Sequence, residues 1–329
     1  MQTAEELIKE FVIQKDVYDK LCHKASSIIT DLINESNIQT HQISFRVKTK
    51  KKIEEKIIRK NFKYKGISEI TDIVGIRIIT YFADDVDKVA DLIEQEFVID
   101  KKNSIDKRNL EEDRFGYMSL HYVVELPKAR TILTENKKFE NIKLEIQIRS
   151  VLQHSWAEIE HDLGYKGSIA IPRFAKRNFH RIAALLEIAD IEFNSLRQIL
   201  EEYKEQVSLD INQNKRNLLI DQTTLTEYIN QSKILGEIEN KIVRKFKKQR
   251  QHKHAFTPHV IESRLQAISD LNIKSIEELD ELLKKNKKQL SDYMIHKYKI
   301  LSDSYSSWQW ILYGSSINDL NEMISKEDI

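Results

Sequence analysis

Leu144 to Lys166 reads LEIQIRSVLQHSWAEIEHDLGYK, and its first residues decide the fold. Leu144, Ile146 and Ile148 alternate with Glu145, Gln147 and Arg149, so a period of two sends the apolar three to one face of a strand and the polar three to the other. Val151 to Asp162 then reads as a helix ending near Gly164. Upstream, Gly116-Tyr-Met-Ser-Leu-His-Tyr-Val-Val repeats the device: parity groups Tyr117, Ser119 and His121 against Met118, Leu120, Tyr122 and Val124. An antiparallel sheet with one wet face shows the same alternation. Such a face is usually a mixture of Lys, Glu and Thr, whereas here a carboxylate, an amide, a guanidinium, an imidazole and a phenol are collected. Those groups bind metal, phosphate and base, so the two strands predict a site on a sheet.

Composition narrows what that site can be. The 329 residues suffice for two domains and a sizeable core. With 53 basic and 52 acidic residues the net charge is +1, so only local patches can speak for nucleic acid. The single Cys22 excludes a disulfide framework and a multi-cysteine zinc site and suits a reducing compartment. A bound metal would therefore rest on oxygen ligands. The N-terminus lacks the basic start and apolar core of a signal peptide, and no run approaches the roughly 18 apolar residues of a spanning helix. A cytoplasmic protein with no membrane partner is the expectation. Only 7 Gly and 3 Pro point to long helices, and no Gly-rich phosphate loop is present. Any nucleotide must be held by cationic side chains.

The periodicities predict a helix over 4–36, a strand over 42–48, a basic helix over 49–62 capped by Thr49, an apolar strand over 73–82 and an acid-initiated helix over 84–96. A short strand over 97–100 and a charged loop over 101–114 lead to the two site strands. Residues 177–207 form a helix whose broad face of Phe179, Ile182, Leu185, Leu186, Ala189 and Phe193 is expected to pack on the sheet. Residues 1–207 thus form one domain, the polar segment 208–224 a linker, and 225–329 an all-helical region with helices near 225–250, 259–271, 275–300 and 303–325.

Short motifs then stand in a telling order: Arg46-Val-Lys48, Thr71-Asp72-Ile-Val-Gly-Ile-Arg77, Gly116-Tyr-Met-Ser-Leu-His121, Glu145-Ile-Gln-Ile-Arg149 and Trp156-Ala-Glu-Ile-Glu-His-Asp-Leu-Gly-Tyr165-Lys166. Over residues 40–205 this order resembles the RelA/SpoT-type alarmone synthetases, small single-domain members in particular. The resemblance implies an α/β nucleotidyltransferase-like domain, a mixed sheet flanked by helices. It also implies Mg²⁺-dependent transfer of pyrophosphate from ATP to the ribose 3′-hydroxyl of GDP or GTP, which yields the (p)ppGpp of the stringent response. Such a transfer needs a divalent ion, cations around the phosphates and a positioned hydroxyl. Asp72 and Glu145 are the carboxylates available as catalytic groups and oxygen ligands for Mg²⁺. By resemblance Asp72 is the metal ligand, and Glu145 either shares the metal or accepts the proton of the attacking hydroxyl. Arg46, Lys48 and Arg77 would hold ATP. Tyr117 would stack on the acceptor guanine, with His121, Gln147, Arg114 and Arg149 around it. Strict alternation places Asp72 and Arg77 on opposite faces, so either Asp72 precedes the strand or Gly75 marks a bulge. Packing and capping beneath the site are the reading for His154, Trp156, Glu158, His161 and Asp162. Bifunctional relatives carry a separate HD hydrolase upstream; here the first motif begins at Arg46, so synthesis without hydrolysis is expected.

The sequence departs from better-known members at Lys52, Phe115 and Asp113, where Ser, Asn or Ser, and a basic residue are usual; Arg114, Lys107 or Arg108 can supply that last cation. These changes open a second acceptor, because some small members resemble toxins that pyrophosphorylate the 3′ end of tRNA. Lys241, Arg244, Lys245 and Lys248 belong to a basic run that suits phosphate contact, though a solvated helix has the same look. The acidic stretch 277–281 is a candidate to dock against it. The tail carries no assignable motif; neutralisation of a toxic synthetase, ligand sensing and homo-oligomerisation are the roles open to it, with Trp308, Trp310 and Tyr313 as a docking patch or ordinary core. A non-catalytic RNA-binding module is the third reading, against which Asp72 and Glu145 stand.

Overall fold

The computed structural model describes residues 3–106, 119–165, 172–215, 217–246, 258–304 and 313–327. The chain divides into two compact units, 1–196 and 197–329.

In the first unit, α1 (Ala4–Glu35) starts at a capping box in which Thr3 and Glu6 satisfy each other's backbone N–H, and it buries Leu7, Phe11, Tyr18, Leu21, Ala25 and Ile28 as the periodicity predicts. The sheet comprises β1 (Thr40–Val47), β2 (Val74–Thr80), β3 (Val98–Ile99), β4 (Ile105–Asp106), β5 (Leu120–Glu125) and β6 (Leu144–Ser150). Its order is β1-β2-β6-β5-β3, with β4 also on β5. Only β2 and β6 run parallel; the other pairs are antiparallel. The apolar parity of the central strands is buried: Val74, Ile76, Ile78, Leu144, Ile146, Ile148, Leu120, Tyr122 and Val124 join one core with α1 and with α3 (Asp84–Glu96). The polar parity turns the other way. Between β1 and β2 lies α2 (Lys50–Arg59), whose Thr49 Oγ1 accepts from the Lys52 amide 3.4 Å away and which buries Ile53 and Ile57. The short α4 (Lys128–Thr131) follows β5, and α5 (Val151–Tyr165) follows β6 without a break.

α6 (Arg173–Asn212) differs from expectation. Its face does not pack broadly on the sheet, since Ile182, Leu185 and Phe193 are 48%, 65% and 51% exposed. The tie that is present is local: Ala183 and Asp190, seven residues apart, are both buried, and Ser150 Oγ at the end of β6 donates to Asp190 Oδ2 at 2.8 Å. The division between units falls inside this helix. The expected linker over 208–224 is partly helix, because Val207 and Ile211 belong to the second core and hold the backbone helical to Asn212.

The second unit is helical, with α7 (Gln222–Gln231), α8 (Lys233–Phe246), α9 (Pro258–Asp270), α10 (Ile276–Ser304) and α11 (Ser315–Glu327). The helix expected near 225–250 is thus two, parted at the extended Ser232. Tyr228 is fully buried and donates to Asp280 at 2.8 Å. Tyr313 is core, donating to Asn230 Oδ1 at 2.9 Å; Trp308 and Trp310 lie outside the described residues. Gly314, at φ +63°, makes the turn into α11 that a side chain would strain. Among the described residues no helix is long and apolar enough to cross a membrane.

Candidate active site

Strand register gathers the polar parity into one surface. Arg46 lies opposite Gly75, which lies opposite Glu145; Ser44 lies opposite Arg77, which lies opposite Gln147, itself opposite His121. Opposed residues share a face, so β1, β2, β6 and β5 present Arg46, Arg77, Glu145, Gln147 and His121 together. The parity conflict resolves without a bulge. β2 pairs regularly around Gly75, from Val74 to Ile79, with the one register shift at the far end of the β1 ladder between Thr40 and Gln42, and Asp72 precedes the strand in a turn. Freed from strand alternation, Asp72 joins the face of Arg77: both line an open cleft of about 130 Å³, together with Arg46, Lys48, Glu145 and Gln147. A wider cavity of about 780 Å³ shares Arg46, Lys48 and Asp72 and adds Lys52, Lys56, Arg59 and His161.

Asp72 is the electrostatic centre. Lys48 Nζ lies 2.7 Å from its Oδ2 and also donates to its carbonyl at 2.7 Å, while Lys56 Nζ lies 2.5 Å from Oδ1. Burial alone would push the Asp72 carboxyl up. The charges and hydrogen bonds of Lys48 and Lys56 outweigh it and hold the group below its ordinary value. The Lys48 ammonium is pushed down by burial, against the attraction of Asp72 and, more weakly, Glu145.

Glu145 is held by a relay along its own strand. Arg149 Nη2 donates to Gln147 Oε1 at 2.8 Å, and Gln147 Nε2 donates to Glu145 Oε2 at 2.9 Å. His121 Nδ1 lies 3.4 Å from Glu145 Oε1. Burial and the nearby Asp72 charge raise the Glu145 carboxyl, but His121 and Gln147 together bring it below its usual value. Arg149 is buried and reaches Glu145 through Gln147, which fixes the orientation of that amide. Arg77 Nη1 donates to Glu158 Oε1 on α5 at 2.9 Å. Glu158 is thus more than packing, whereas Trp156 is buried, edge-on to Phe179, and donates to its carbonyl at 3.2 Å.

Tyr117 and Arg114, expected around the acceptor, lie outside the described residues, as do Lys107, Arg108, Asp113, Phe115 and Lys248. Lys241, Arg244 and Lys245 are exposed on α8, in the second unit. Lys56 is the site residue the sequence reading missed. Its signal is its position beside the buried Ile53–Ile57 stripe of a helix capped directly after Lys48, which turns it back toward the residues before β2.

Two carboxylates and a ring of cations cannot form an all-protein metal cage, and no group of three or more His, Cys, Asp or Glu suited to a metal occurs among the described residues. They fit a hard ion that completes its shell with water and substrate phosphates, which is how Mg²⁺ is ordinarily held.

Residues 45–170 match the region found in RelA / SpoT proteins. The GTP pyrophosphokinase YjbM of Bacillus subtilis (strain 168) is 33% identical over 163 residues, 49% of this chain and 73% of that protein. The GTP pyrophosphokinase YwaC of the same organism is 33% identical over 174 residues, 50% of this chain and 77% of that one. Among solved structures, small alarmone synthetase 1 from Bacillus subtilis bound to its product pppGpp aligns at 29% identity and TM-score 0.46, over 58% of this chain and 95% of that one. A sheet face that unites Asp72, Glu145 and their cations, carried on a matching sequence region, places the chain in the RelA/SpoT family of pyrophosphokinases.

Proposed function

We propose that the protein transfers pyrophosphate from ATP to the ribose 3′-hydroxyl of GDP or GTP in a Mg²⁺-dependent reaction, yielding (p)ppGpp. The observation that carries the reading is the convergence on one cleft of two ionised carboxylates, Asp72 and Glu145, with Arg46, Lys48 and Arg77, and with Lys56 at Asp72. The GTP pyrophosphokinase relatives support the acceptor class.

Asp72 would hold Mg²⁺, which supplies charge neutralisation on the donor phosphates. Lys48 and Lys56 pair with the Asp72 oxygens. When ATP binds they turn to its phosphates, keeping the local charge balanced. Arg46 and Arg77 present guanidinium planes to the donor across the same face, and Arg77 exchanges Glu158 for the nucleotide. Glu145, fixed by His121 and Gln147, orients the acceptor hydroxyl and takes its proton. In a loose transition state that proton leaves late, so a carboxylate of low basicity suffices.

The test is incubation with γ-labelled ATP and, in parallel, GDP, GTP or deacylated tRNA. Label on the guanine nucleotide supports the proposal. Label on tRNA alone would replace it with the tRNA-modifying reading, toward which the exposed Lys241, Arg244 and Lys245 point. No label on any acceptor would leave a binding module.

A further inference from the structure

The second unit holds a cavity of its own, of about 540 Å³, lined from α6, the C-terminal end of α7, α8 and α10. That volume falls in the range of small-molecule pockets, roughly 300–1,000 Å³. Such pockets are mostly apolar, whereas here Ile211 and Ile234 are the apolar members of the lining and both belong to the core of the unit. A polar lining selects a polar ligand.

The cations of this lining are held in place from the core outward. The fully buried Tyr228 donates to Asp280 Oδ1 at 2.8 Å, and Lys284 Nζ lies 2.6 Å from Oδ2 of the same carboxylate. Lys287, one turn further along α10, pairs with Glu237 of α8. Lys233, at the start of α8, makes no ion pair among the described residues. Three ammonium groups therefore line the cavity against two carboxylates, and one of those, Asp280, is buried and already held by Tyr228 and Lys284. The surplus charge calls for an anion, and lysine ammonium groups serve phosphate as point charges. Gln231 adds a second requirement. Its Nε2 donates to Ser208 Oγ at 2.8 Å and to Glu227 Oε2 at 3.2 Å, so both amide hydrogens are used and the orientation of the amide is fixed. Its Oε1 is left buried without a hydrogen bond. A buried acceptor in that condition is costly; a hydroxyl satisfies it, and an ionised phosphate oxygen does not.

We infer that this cavity binds a small phosphate ester with free hydroxyl groups, of the sugar-phosphate class. Its phosphate rests on Lys233, Lys284 and Lys287, and one of its hydroxyls donates to Gln231 Oε1. Every lining residue belongs to the second unit, so binding there does not require the transfer proposed for the first.

The experiment titrates the full chain with ribose 5-phosphate and with inorganic phosphate by calorimetry, and follows amide hydrogen exchange with each probe. Exchange should slow at 231–237 and 280–288. Ribose 5-phosphate should bind about tenfold more tightly than inorganic phosphate, the effect of one further hydrogen bond to a buried group. Lys233→Gln combined with Lys287→Gln should weaken it about ten- to hundredfold, while Lys287→Arg, which keeps the charge, should bind as the unmodified protein does. If the double variant melts early, Lys233→Gln alone carries the test with a loss of about tenfold, since that side chain has no ion-pair partner to lose. Changing Lys241, Arg244 and Lys245 to Gln, on the same helix but outside the cavity, should leave binding unaltered. Unslowed exchange at both segments overturns the inference, as does equal affinity for the two probes. So does Lys233→Gln with unmodified affinity, and so does a loss as large from the Lys241, Arg244 and Lys245 variant, because diffuse charge would then account for the binding.

Discussion

Replacing Asp72 with Asn should reduce both activity and stability, and only the stability loss should depend on pH. The Asp72 side chain is 21% exposed, and its partners Lys48 and Lys56 are 18% and 14% exposed. Each contact is worth several kcal/mol of Coulomb attraction at an effective dielectric of about 20, most of it offset by the cost of taking the ions from water. The amide keeps the shape but leaves two ammonium groups whose mutual repulsion Lys48 already feels. Both lysines have long stems that can carry the charge toward solvent, so the net loss is set at about 2 kcal/mol, below the roughly 3–5 kcal/mol of breaking a fully buried pair. For a unit of this size that lowers the melting temperature by about 4–8 °C. The folded Asp72 carboxyl lies below its ordinary value of 3.8. Its contribution is therefore complete at neutral pH, above the unfolded pKa, and is lost as pH falls through the lower folded value. Melting curves at pH 7 and pH 3 should show a gap that closes in acid. Transfer at pH 7 should drop about a thousandfold, the equivalent of roughly 4 kcal/mol of transition-state stabilisation. A gap of the same size at both pH values, or an Asn variant more stable than the parent, would refute the reasoning about the two lysines.

Glu145→Gln should lower kcat by about 10²–10⁴, the usual contribution of a positioned acid–base group, with little change in KM for GDP; steady-state kinetics checks it. Glu158→Ala should do the reverse to the donor side, because Arg77 no longer has to leave a partner. KM for ATP is expected to fall about two- to fivefold, the worth of an exposed ion pair. In the second unit, Gly314→Ala places a Cβ 2.8 Å from Ile229 Cδ1 at a φ of +63° and should destabilise that unit by about 1–3 kcal/mol, read by denaturant titration of a probe near Tyr313. Changing Lys241, Arg244 and Lys245 together to Glu should leave transfer to GDP unaltered, and a loss there would assign the basic helix to the alarmone reaction.

The sheet face was legible because period-two alternation reports parity directly: Glu145, Gln147 and Arg149 could only share a side, and the register then aligned them with Arg77 and His121. The start of α2 was legible from its cap at Thr49, and that of α1 from its apolar spacing, with the Thr3 capping box found in the structure. Lys56 escaped because its contact with Asp72 joins a helix to a turn before a strand, and no local period encodes that distance. The placement of α6 escaped for another reason. Many of its apolar residues stay exposed, so counting them identified a helix but not the Asp190–Ser150 bond that ties it to the end of β6. The break at Ser232 lay hidden because apolar residues on both sides keep a helical spacing across it.

The most direct test of the central claim is the stoichiometry of the adenine nucleotide released when the protein consumes GDP in the presence of ATP and Mg²⁺. Transfer of an intact pyrophosphate predicts one AMP for each GDP converted, with a product that resists periodate because its 3′-hydroxyl is blocked. ADP in place of AMP, or a product that periodate still cleaves, would contradict the account.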